Sequence, residues 1–174
     1  MRRRLFLILV ICSLVCSAAS GGVAYSFATS VVPGLDRTDP VTAVTAMGGI
    51  VTGARLNPAF VLLLVVTAVA ALAVGVLAAS RLRQPGSGYL LAGAVCALTA
   101  GIVTLVFNVP LNGRLNAVDP VVLTPDDAAR EWQAYVEPWL LWNAVRCVAA
   151  LVGAVLFAVG LWRLAGRRES AAAG

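Results

Sequence analysis

Four stretches of this sequence are long and apolar enough to cross a lipid bilayer. A membrane helix needs about 20 predominantly apolar residues, and such stretches occupy residues 5–29, 58–80, 88–108 and 138–164. Hydrophobic residues make up 60% of the chain and charged residues 12%, whereas a soluble domain is about 45–50% apolar and about 25% charged. The pattern excludes a water-soluble globular protein. It predicts an all-α integral membrane protein, with one domain over residues 1–174 that forms a four-helix bundle.

The first stretch also has features of a secretory signal peptide. Arg2, Arg3 and Arg4 precede an apolar run that leads into the small residues CSAASG, and this order is typical of a cleaved leader. The apolar run continues, however, through Tyr25 and Phe27, which makes it longer than a typical leader core. We therefore predict that the first stretch is a membrane helix, with a cleaved leader as the alternative.

The distribution of arginine predicts how the helices are oriented. All 13 basic residues are arginines, and cytoplasmic loops are enriched in basic residues. With the amino terminus inside, the arginines that flank the inner helix ends are Arg2, Arg3, Arg4, Arg81, Arg83, Arg163, Arg167 and Arg168. Those on the outer side are fewer: Arg37, Arg55, Arg114 and Arg130. We predict a multi-pass protein of the cell membrane with both termini cytoplasmic and with residues 165–174 as the cytoplasmic tail.

The two long connections, residues 30–57 and 109–137, then lie on the outer side. In the first, Asp39 followed by proline has the form of a helix amino terminus. Apolar residues follow it at helical spacing: Ala43, Met47, Ile50 and Ala54. In the second, the capping sequence TPDD begins a helix that Pro138 is expected to end before the fourth span starts. We predict a short amphipathic helix in each connection, lying across the outer mouth of the bundle.

Arg146 is the most informative polar residue because it lies inside the fourth apolar stretch. A charged side chain at the centre of the bilayer costs about 2.5–3.5 kcal/mol on insertion scales, so we expect it to face the bundle interior and to be paired. Asn143 is three residues earlier on the same helical face, and Trp139 and Trp142 lie beside it. An interfacial arginine in an aromatic belt is the alternative interpretation. We favour a polar site for an anionic or electron-rich group.

Three asparagines near the outer end of the third stretch are spaced four residues apart. Asn108, Asn112 and Asn116 would share one face of a continuing helix. Pro110 is expected to break or kink that helix and to free a backbone carbonyl, for which side-chain amides are suitable partners. A helix end capped by asparagine and proline is the simpler interpretation of the same residues.

Together these residues predict a pocket at the outer ends of the helices. Asn57, at the start of the second stretch, and Tyr25, late in the first, lie at the same depth. Amides, one arginine and several aromatic rings suit a flat, partly polar aromatic ligand in an otherwise apolar cavity. None of the four stretches contains a carboxylate, which argues against an ion pathway.

Absent residue types exclude several kinds of chemistry. The chain contains no lysine and no histidine, which excludes Schiff-base lysine catalysis, histidine acid–base catalysis and histidine-ligated metals. A soft-metal site from Cys12, Cys16 and Cys96 is disfavoured, because cysteines inside such stretches usually pack as small apolar residues. We predict no metal and no cofactor. We also predict no nucleic-acid partner, because the arginines lie at the edges of the stretches rather than in one patch.

Several segments resemble one known family. The chain contains GGVAYSFATSVVPGL at the end of the first stretch, Asn57-Pro58 before the second, FNVPLNGRL after the third and WLLWNAVR at the start of the fourth. In this order they resemble the anthrone oxygenase-like membrane proteins, which group a domain of unknown function with fungal anthrone oxygenases. The resemblance implies a four-helix membrane bundle.

The resemblance also implies a reaction. Characterised members oxidise an activated methylene of an anthrone to a quinone carbonyl with dioxygen, which an electron-rich enolate can reduce without a metal. Arg146 and Asn143 would then be the catalytic residues that stabilise the oxyanion. The predicted substrate-binding residues are Asn57, Asn108, Asn112, Asn116, Tyr25, Trp139 and Trp142. The candidates for a base are Glu137, Asp119 and Tyr135.

Two functions therefore remain open. The first is a non-catalytic membrane protein that binds a lipophilic aromatic or lipid-like ligand, or acts as an accessory subunit, and it is favoured by the lack of a convincing base or nucleophile. The second is a cofactor-independent, anthrone oxygenase-like enzyme; a small transporter is a third, less favoured function. Predicted partners are the lipid bilayer, the aromatic ligand, and a second copy of the chain or a partner membrane subunit. Arginine without lysine favours a bacterial source with a GC-rich genome.

Overall fold

The computed structural model of the protein describes residues 2–119 and 121–172. In these ranges all regular structure is helical, which confirms the predicted all-α fold. The helices are α1 (Arg2–Ser26), α2 (Val32–Leu35), α3 (Pro40–Leu56), α4 (Pro58–Ala79), α5 (Ser87–Val103), α6 (Val109–Asn116) and α7 (Pro125–Ala172). Four arginines that enter the predicted orientation lie outside the residues whose side chains are described: Arg2, Arg3, Arg167 and Arg168.

Four helical segments of the described chain are long and apolar enough to cross a membrane, as predicted. They are Arg4–Leu35, Pro58–Ala79, Ser87–Asn116 and Pro125–Ala165. In the bundle, α1 and α5 each pack against both α4 and α7. The shorter α3 packs against α4, α6 and α7, and we call the end of the bundle where it lies the α3 end.

The third membrane segment continues past Pro110, so of the break or kink predicted there the break does not occur. Residues Thr104–Asn108 form a π-helical turn in which the Val109 amide donates to the carbonyl of Thr104, and α6 follows directly. A proline has no N–H to donate, and the wider turn places the chain so that the helix continues without that bond.

The first membrane segment has the same arrangement before Pro33. Residues Phe27–Val31 form a π-helical turn, and the Val32 amide donates to the carbonyl of Phe27. In both segments the π turn is followed by valine and then proline. The two turns carry Phe27 and Asn108, which line the cavity described below.

The fourth membrane segment is part of one continuous helix, α7, with Pro138 inside it. The prediction of a separate short helix that ends before this proline is therefore wrong. The proline removes one backbone hydrogen bond, and side chains on both sides of it are anchored in the same buried cluster. Trp132 and Trp139 are only 5% and 3% exposed and both belong to that cluster, so packing holds the two halves in one helix.

The core consists of two clusters of buried apolar side chains. The cluster at the α3 end comprises Val32, Ala43, Val44, Met47, Leu115, Trp132, Tyr135 and Trp139. The other comprises Phe6, Val10, Ala71, Val74, Ala78, Leu90, Ala94, Ala97 and Phe157. Along α7, Arg146 lies between Trp139 of the first cluster and Phe157 of the second.

Helices α5 and α7 approach closely at Gly93 and Gly153. A Cβ atom on either glycine would lie 3.1 Å from the carbonyl oxygen of the other. Small residues allow this approach between membrane helices, where no hydrophobic effect drives association. The contact joins α7, which carries Arg146, to α5, which leads directly into the Thr104–Asn108 turn.

Candidate functional site

A cavity of about 740 Å³ lies at the α3 end of the bundle. Small-molecule sites typically have volumes of about 300–1,000 Å³. Residues of the first membrane segment, α3, α4, α6, α7 and the Thr104–Asn108 turn form its walls. The polar and aromatic lining residues are Phe27, Arg55, Asn57, Phe60, Thr104, Asn108, Asn112, Asn116, Trp139 and Arg146. This main cavity therefore brings most of the predicted site residues together.

Asn143 holds Arg146 at the wall of the main cavity. The Asn143 side chain is fully buried, and its Nδ2 donates to the carbonyl of Ala24 at 2.8 Å. Its Oδ1 accepts from Nε and Nη2 of Arg146 at 3.0 and 2.8 Å. Asn143 is not among the lining residues, so its part is to orient the guanidinium rather than to contact a ligand.

The charge of Arg146 has no carboxylate partner among the described residues, where the one ion pair joins Arg130 and Asp127. Within that part of the chain its guanidinium donates only to Asn143. A charge among apolar helices is unfavourable unless it is paired. An anionic or electron-rich oxygen bound in the main cavity would provide the missing partner.

Asn112 is held by two aromatic residues of α7. Its Oδ1 accepts hydrogen bonds from the Tyr135 hydroxyl and from Trp139 Nε1, both at 2.9 Å. Because both hydrogen bonds go to the oxygen, the amide nitrogen of Asn112 remains free to bind a ligand at the cavity wall. No described residue accepts a hydrogen bond from it, so it is a donor available to a ligand.

Asn108 provides the complementary acceptor. Its side chain is 2% exposed, and its Nδ2 donates to the carbonyl of Trp139 at 3.4 Å. Its Oδ1 has no hydrogen-bond partner among the described residues. A buried acceptor left without a donor costs about 1–3 kcal/mol. This oxygen has almost no accessible surface, so a ligand hydroxyl would remove the penalty after a small shift of the Asn108 side chain.

Two other predicted asparagines line the cavity but already make structural hydrogen bonds. Asn57 Oδ1 accepts from the amides of Ala59 and Phe60 and so caps α4. Asn116 Nδ2 donates to Thr52 Oγ1 at 3.1 Å, which joins α6 to α3. These bonds hold the rim of the cavity, and a role of either amide in ligand binding stays a prediction.

Tyr25 and Trp142 are not among the residues that line the main cavity, and a role for them in ligand binding stays a prediction. Tyr25 is 59% exposed, because it lies about half a helical turn away from Val23 and Phe27, which do line the cavity. Trp142 stacks on Phe107, with ring centroids 3.5 Å apart and an interplanar angle of 5°. Both residues lie at the predicted depth but on other faces of their helices.

The apolar wall formed by α3 and α4 was not predicted as part of the site. Its members include Met47, Ile50, Val51, Ala54, Phe60, Val61 and Leu64. For α3 the signal was present, since its apolar residues recur at helical spacing. Arg55 also lines the cavity, but the sequence predicts only an outer-loop position for it, because an exposed arginine at a helix end carries no signal of its own.

None of the candidates for a general base lines the main cavity. Glu137 and Asp119 are exposed, and the Tyr135 hydroxyl donates to Asn112. The described lining residues include no carboxylate. The three-cysteine metal site considered above is not formed either, since the described residues contain no group of three or more His, Cys, Asp or Glu that could hold a metal ion.

Comparison with known proteins identifies a family. No curated protein and no solved structure matches this chain. The sequence model described as anthrone oxygenase matches residues 50–156, more than half of the chain. The matched region includes Asn108, Asn112, Asn143 and Arg146. The chain therefore belongs to the anthrone oxygenase family.

Proposed function

We propose that this membrane protein binds a lipophilic aromatic molecule with oxygen substituents in the main cavity. The observation that carries the proposal is Arg146, which lines the cavity and has no carboxylate partner among the described residues. A phenolate or a conjugated carbonyl of the ligand would supply an acceptor for its free N–H groups. Hydrogen bonds of this charge-assisted kind are among the strongest in proteins.

The remaining polar groups favour a ligand that carries both a hydroxyl and a carbonyl. Asn112 offers an amide donor, and Asn108 Oδ1 offers an acceptor that lacks a donor among the described residues. Phe27, Phe60 and Trp139 line the same space, and aromatic side chains pack well against a flat ring system. A polycyclic phenolic ketone combines these features.

A second candidate function is oxidation of the bound ligand, which membership of the anthrone oxygenase family favours. The overall reaction would convert an activated methylene and dioxygen into a carbonyl and water. Loss of a proton from the methylene gives an enolate, and Arg146 and Asn112 would stabilise its oxyanion. Because no described carboxylate lines the cavity, the proton would pass to water, and Asn143 would act by positioning Arg146.

We further propose that the protein lies in the cell membrane with both termini cytoplasmic and the main cavity on the outer side. The support is the positive-inside pattern: Arg81 and Arg163 are exposed at the ends of α4 and α7 remote from the α3 end. An accessory role would add a partner membrane subunit or a second copy of the chain, for which the exposed apolar helix faces are available.

The test is equilibrium binding of a hydroxyanthraquinone to the purified protein, followed by quenching of tryptophan fluorescence. Arg146→Gln should weaken binding about tenfold or more, because a hydrogen bond to a charged group contributes roughly 1.5–3 kcal/mol. The matched control is Arg114→Gln, since Arg114 is exposed at the same end of the bundle but does not line the cavity. Unchanged affinity in the Arg146 variant would overturn the proposal.

Oxygen uptake with a panel of anthrones separates the two candidate functions. If the wild-type protein and Arg114→Gln take up oxygen and Arg146→Gln does not, the protein is an oxygenase for that anthrone. Binding without uptake across the panel would exclude the oxygenase for these substrates and leave the binding or accessory role.

A further inference from the structure

A second cavity, of about 300 Å³, lies beside the main cavity. Residues of α4 and α5 form most of its walls, and α1, α7 and the Thr104–Asn108 turn contribute the remainder. Three residues line both cavities: Leu64, Thr104 and Arg146. Arg146 is therefore available to a ligand on either side, and the proposed function uses only one of them.

Two residues of α1 that line the second cavity, Ser17 and Ser20, have hydroxyls without a hydrogen-bond partner among the described residues. Ser17 is fully buried, and neither Ser17 Oγ nor Ser20 Oγ makes a hydrogen bond within the described part of the chain. The hydroxyls of Thr67 and Thr104 behave differently, since each donates to a backbone carbonyl of its own helix. One arginine and two unpartnered serine hydroxyls, which are themselves buried, therefore lie at the wall of the second cavity.

The other walls of the second cavity are apolar and extend to the outside of the bundle. Val65, Ile102 and Leu105 line it and are 52%, 59% and 69% exposed, so they face lipid in a membrane. Gly101 also lines it, and a Cβ added there would meet no atom within 4 Å. An aliphatic chain fits such a wall because it requires no hydrogen bonds.

We propose that the second cavity binds the ionised carboxylate of a long-chain fatty acid. The Arg146 guanidinium can only donate and the serine hydroxyls can donate as well, so they favour a ligand group that accepts several hydrogen bonds at once, as a carboxylate does. It would also pair with Arg146, whose charge no described carboxylate neutralises. The aliphatic chain would leave the cavity between α4 and α5 and lie against lipid.

This inference concerns a separate cavity and does not require the proposed function. Because both cavities use Arg146, it adds a consequence: the fatty acid and the aromatic ligand compete. Occupation of the second cavity by a carboxylate would neutralise the guanidinium and so weaken binding in the main cavity.

The experiment measures saturable binding of radiolabelled oleate to the detergent-purified full chain in a scintillation proximity assay. Oleyl alcohol is the matched neutral probe, since it has the same chain and no charge. We expect oleate to bind at least about tenfold more tightly, because only its carboxylate forms charge-assisted hydrogen bonds with Arg146. Equal binding of the two probes would overturn the proposal.

Variants that avoid Arg146 locate the site. Ser17→Ala combined with Ser20→Ala removes the two hydroxyl donors and should weaken oleate binding severalfold. Gly101→Phe should abolish it by filling the second cavity. Gly113→Phe is the matched control, because Gly113 lines the main cavity and likewise has no atom within 4 Å of an added Cβ.

The two phenylalanine variants also distinguish this inference from the proposed function. Gly101→Phe should lose oleate and keep hydroxyanthraquinone, and Gly113→Phe should show the reverse. Oleate binding that survives Gly101→Phe in a monodisperse protein would overturn the assignment to the second cavity. If both variants still bind hydroxyanthraquinone, the result would contradict only the assignment of the aromatic ligand to the main cavity.

Discussion

Asn143 and Arg146 lie one turn apart on α7, and a single oxygen of Asn143 accepts hydrogen bonds from both Nε and Nη2 of Arg146. The nitrogen of the same amide donates to the Ala24 carbonyl of α1. The direction of the guanidinium is therefore coupled to the packing of α1 against α7. One neutral residue orients the charge without neutralising it.

Replacing that neutral partner with a charged one should inactivate the site. Asn143→Asp would give Arg146 an internal carboxylate, so the charge would no longer be available to ligands. We expect affinity for hydroxyanthraquinone to fall about tenfold or more, in line with the strength of hydrogen bonds to charged groups. The affinity is measured by quenching of tryptophan fluorescence, and an unchanged size-exclusion profile is the control for folding. Wild-type affinity in a folded variant would contradict the assigned role of Arg146.

Asn112 should contribute to stability as well as to binding. Asn112→Leu leaves the Tyr135 hydroxyl and Trp139 Nε1 buried without their acceptor, and each such loss costs about 1–3 kcal/mol. We expect a clear drop in Tm, measured by size-exclusion after heating. In the double variant with Tyr135→Phe one orphaned donor is gone, so the two effects should be less than additive. Strict additivity would show that the pair is not coupled.

The contact between α5 and α7 gives a test of the bundle itself. Gly93→Ala places a Cβ 3.1 Å from the carbonyl oxygen of Gly153 and close to the ring of Phe157, so the helices must separate. We expect a lower Tm for this variant. Gly22→Ala is the matched control, because a Cβ at Gly22 meets no atom within 4 Å. Equal Tm values for the two variants would argue against close packing at Gly93.

The start of α3 should be sensitive to acid. Hydrogen bonds from Thr42 lower the pKa of Asp39, and Asp39 Oδ1 accepts from the Thr42 amide at 3.0 Å. Since the folded pKa lies below the unfolded one, this stabilisation is complete above the unfolded pKa and is lost as pH falls through the folded pKa. Hydrogen exchange in the first turn of α3, corrected for intrinsic rates, should accelerate below that pH.

Asp39→Asn is the control for this effect. Asparagine caps helices about as well as aspartate but does not titrate. The variant should therefore retain slow exchange over the same pH range. Acceleration of exchange at low pH in the asparagine variant would show that another group is responsible.

The four membrane segments could be predicted because hydrophobic length alone determines them. The asparagine face could be predicted for a similar reason, since Asn112 and Asn116 keep a four-residue spacing within α6. A break at Pro110 does not follow from the proline alone, because a π-helical turn, which depends on surrounding packing, lets the helix continue past it. Pro138 was misjudged for a related reason, since buried tryptophans on both sides hold α7 together.

The shape of the site was harder to predict than its composition. Depth along a helix follows from residue counting, but the face that a side chain occupies depends on which neighbours pack around it. Tyr25 and Trp142 lie on other faces of their helices than the residues that line the main cavity. The second cavity depends on small residues such as Gly101 that leave space beside the helix. The sequence alone does not show whether a small residue borders an empty space or a closely packed helix.

The orientation in the membrane can be tested by labelling introduced cysteines in intact cells. Asp126→Cys lies at the start of α7 at the α3 end, and Arg83→Cys lies in the loop between α4 and α5; both positions are exposed. A membrane-impermeant maleimide should label the first and reach the second only after permeabilisation, because basic loops stay cytoplasmic. The native cysteines are all at least half-buried within the helices, and the parent protein controls for their labelling. The opposite pattern would place the main cavity on the cytoplasmic side, and ligands would then have to reach Arg146 from within the cell.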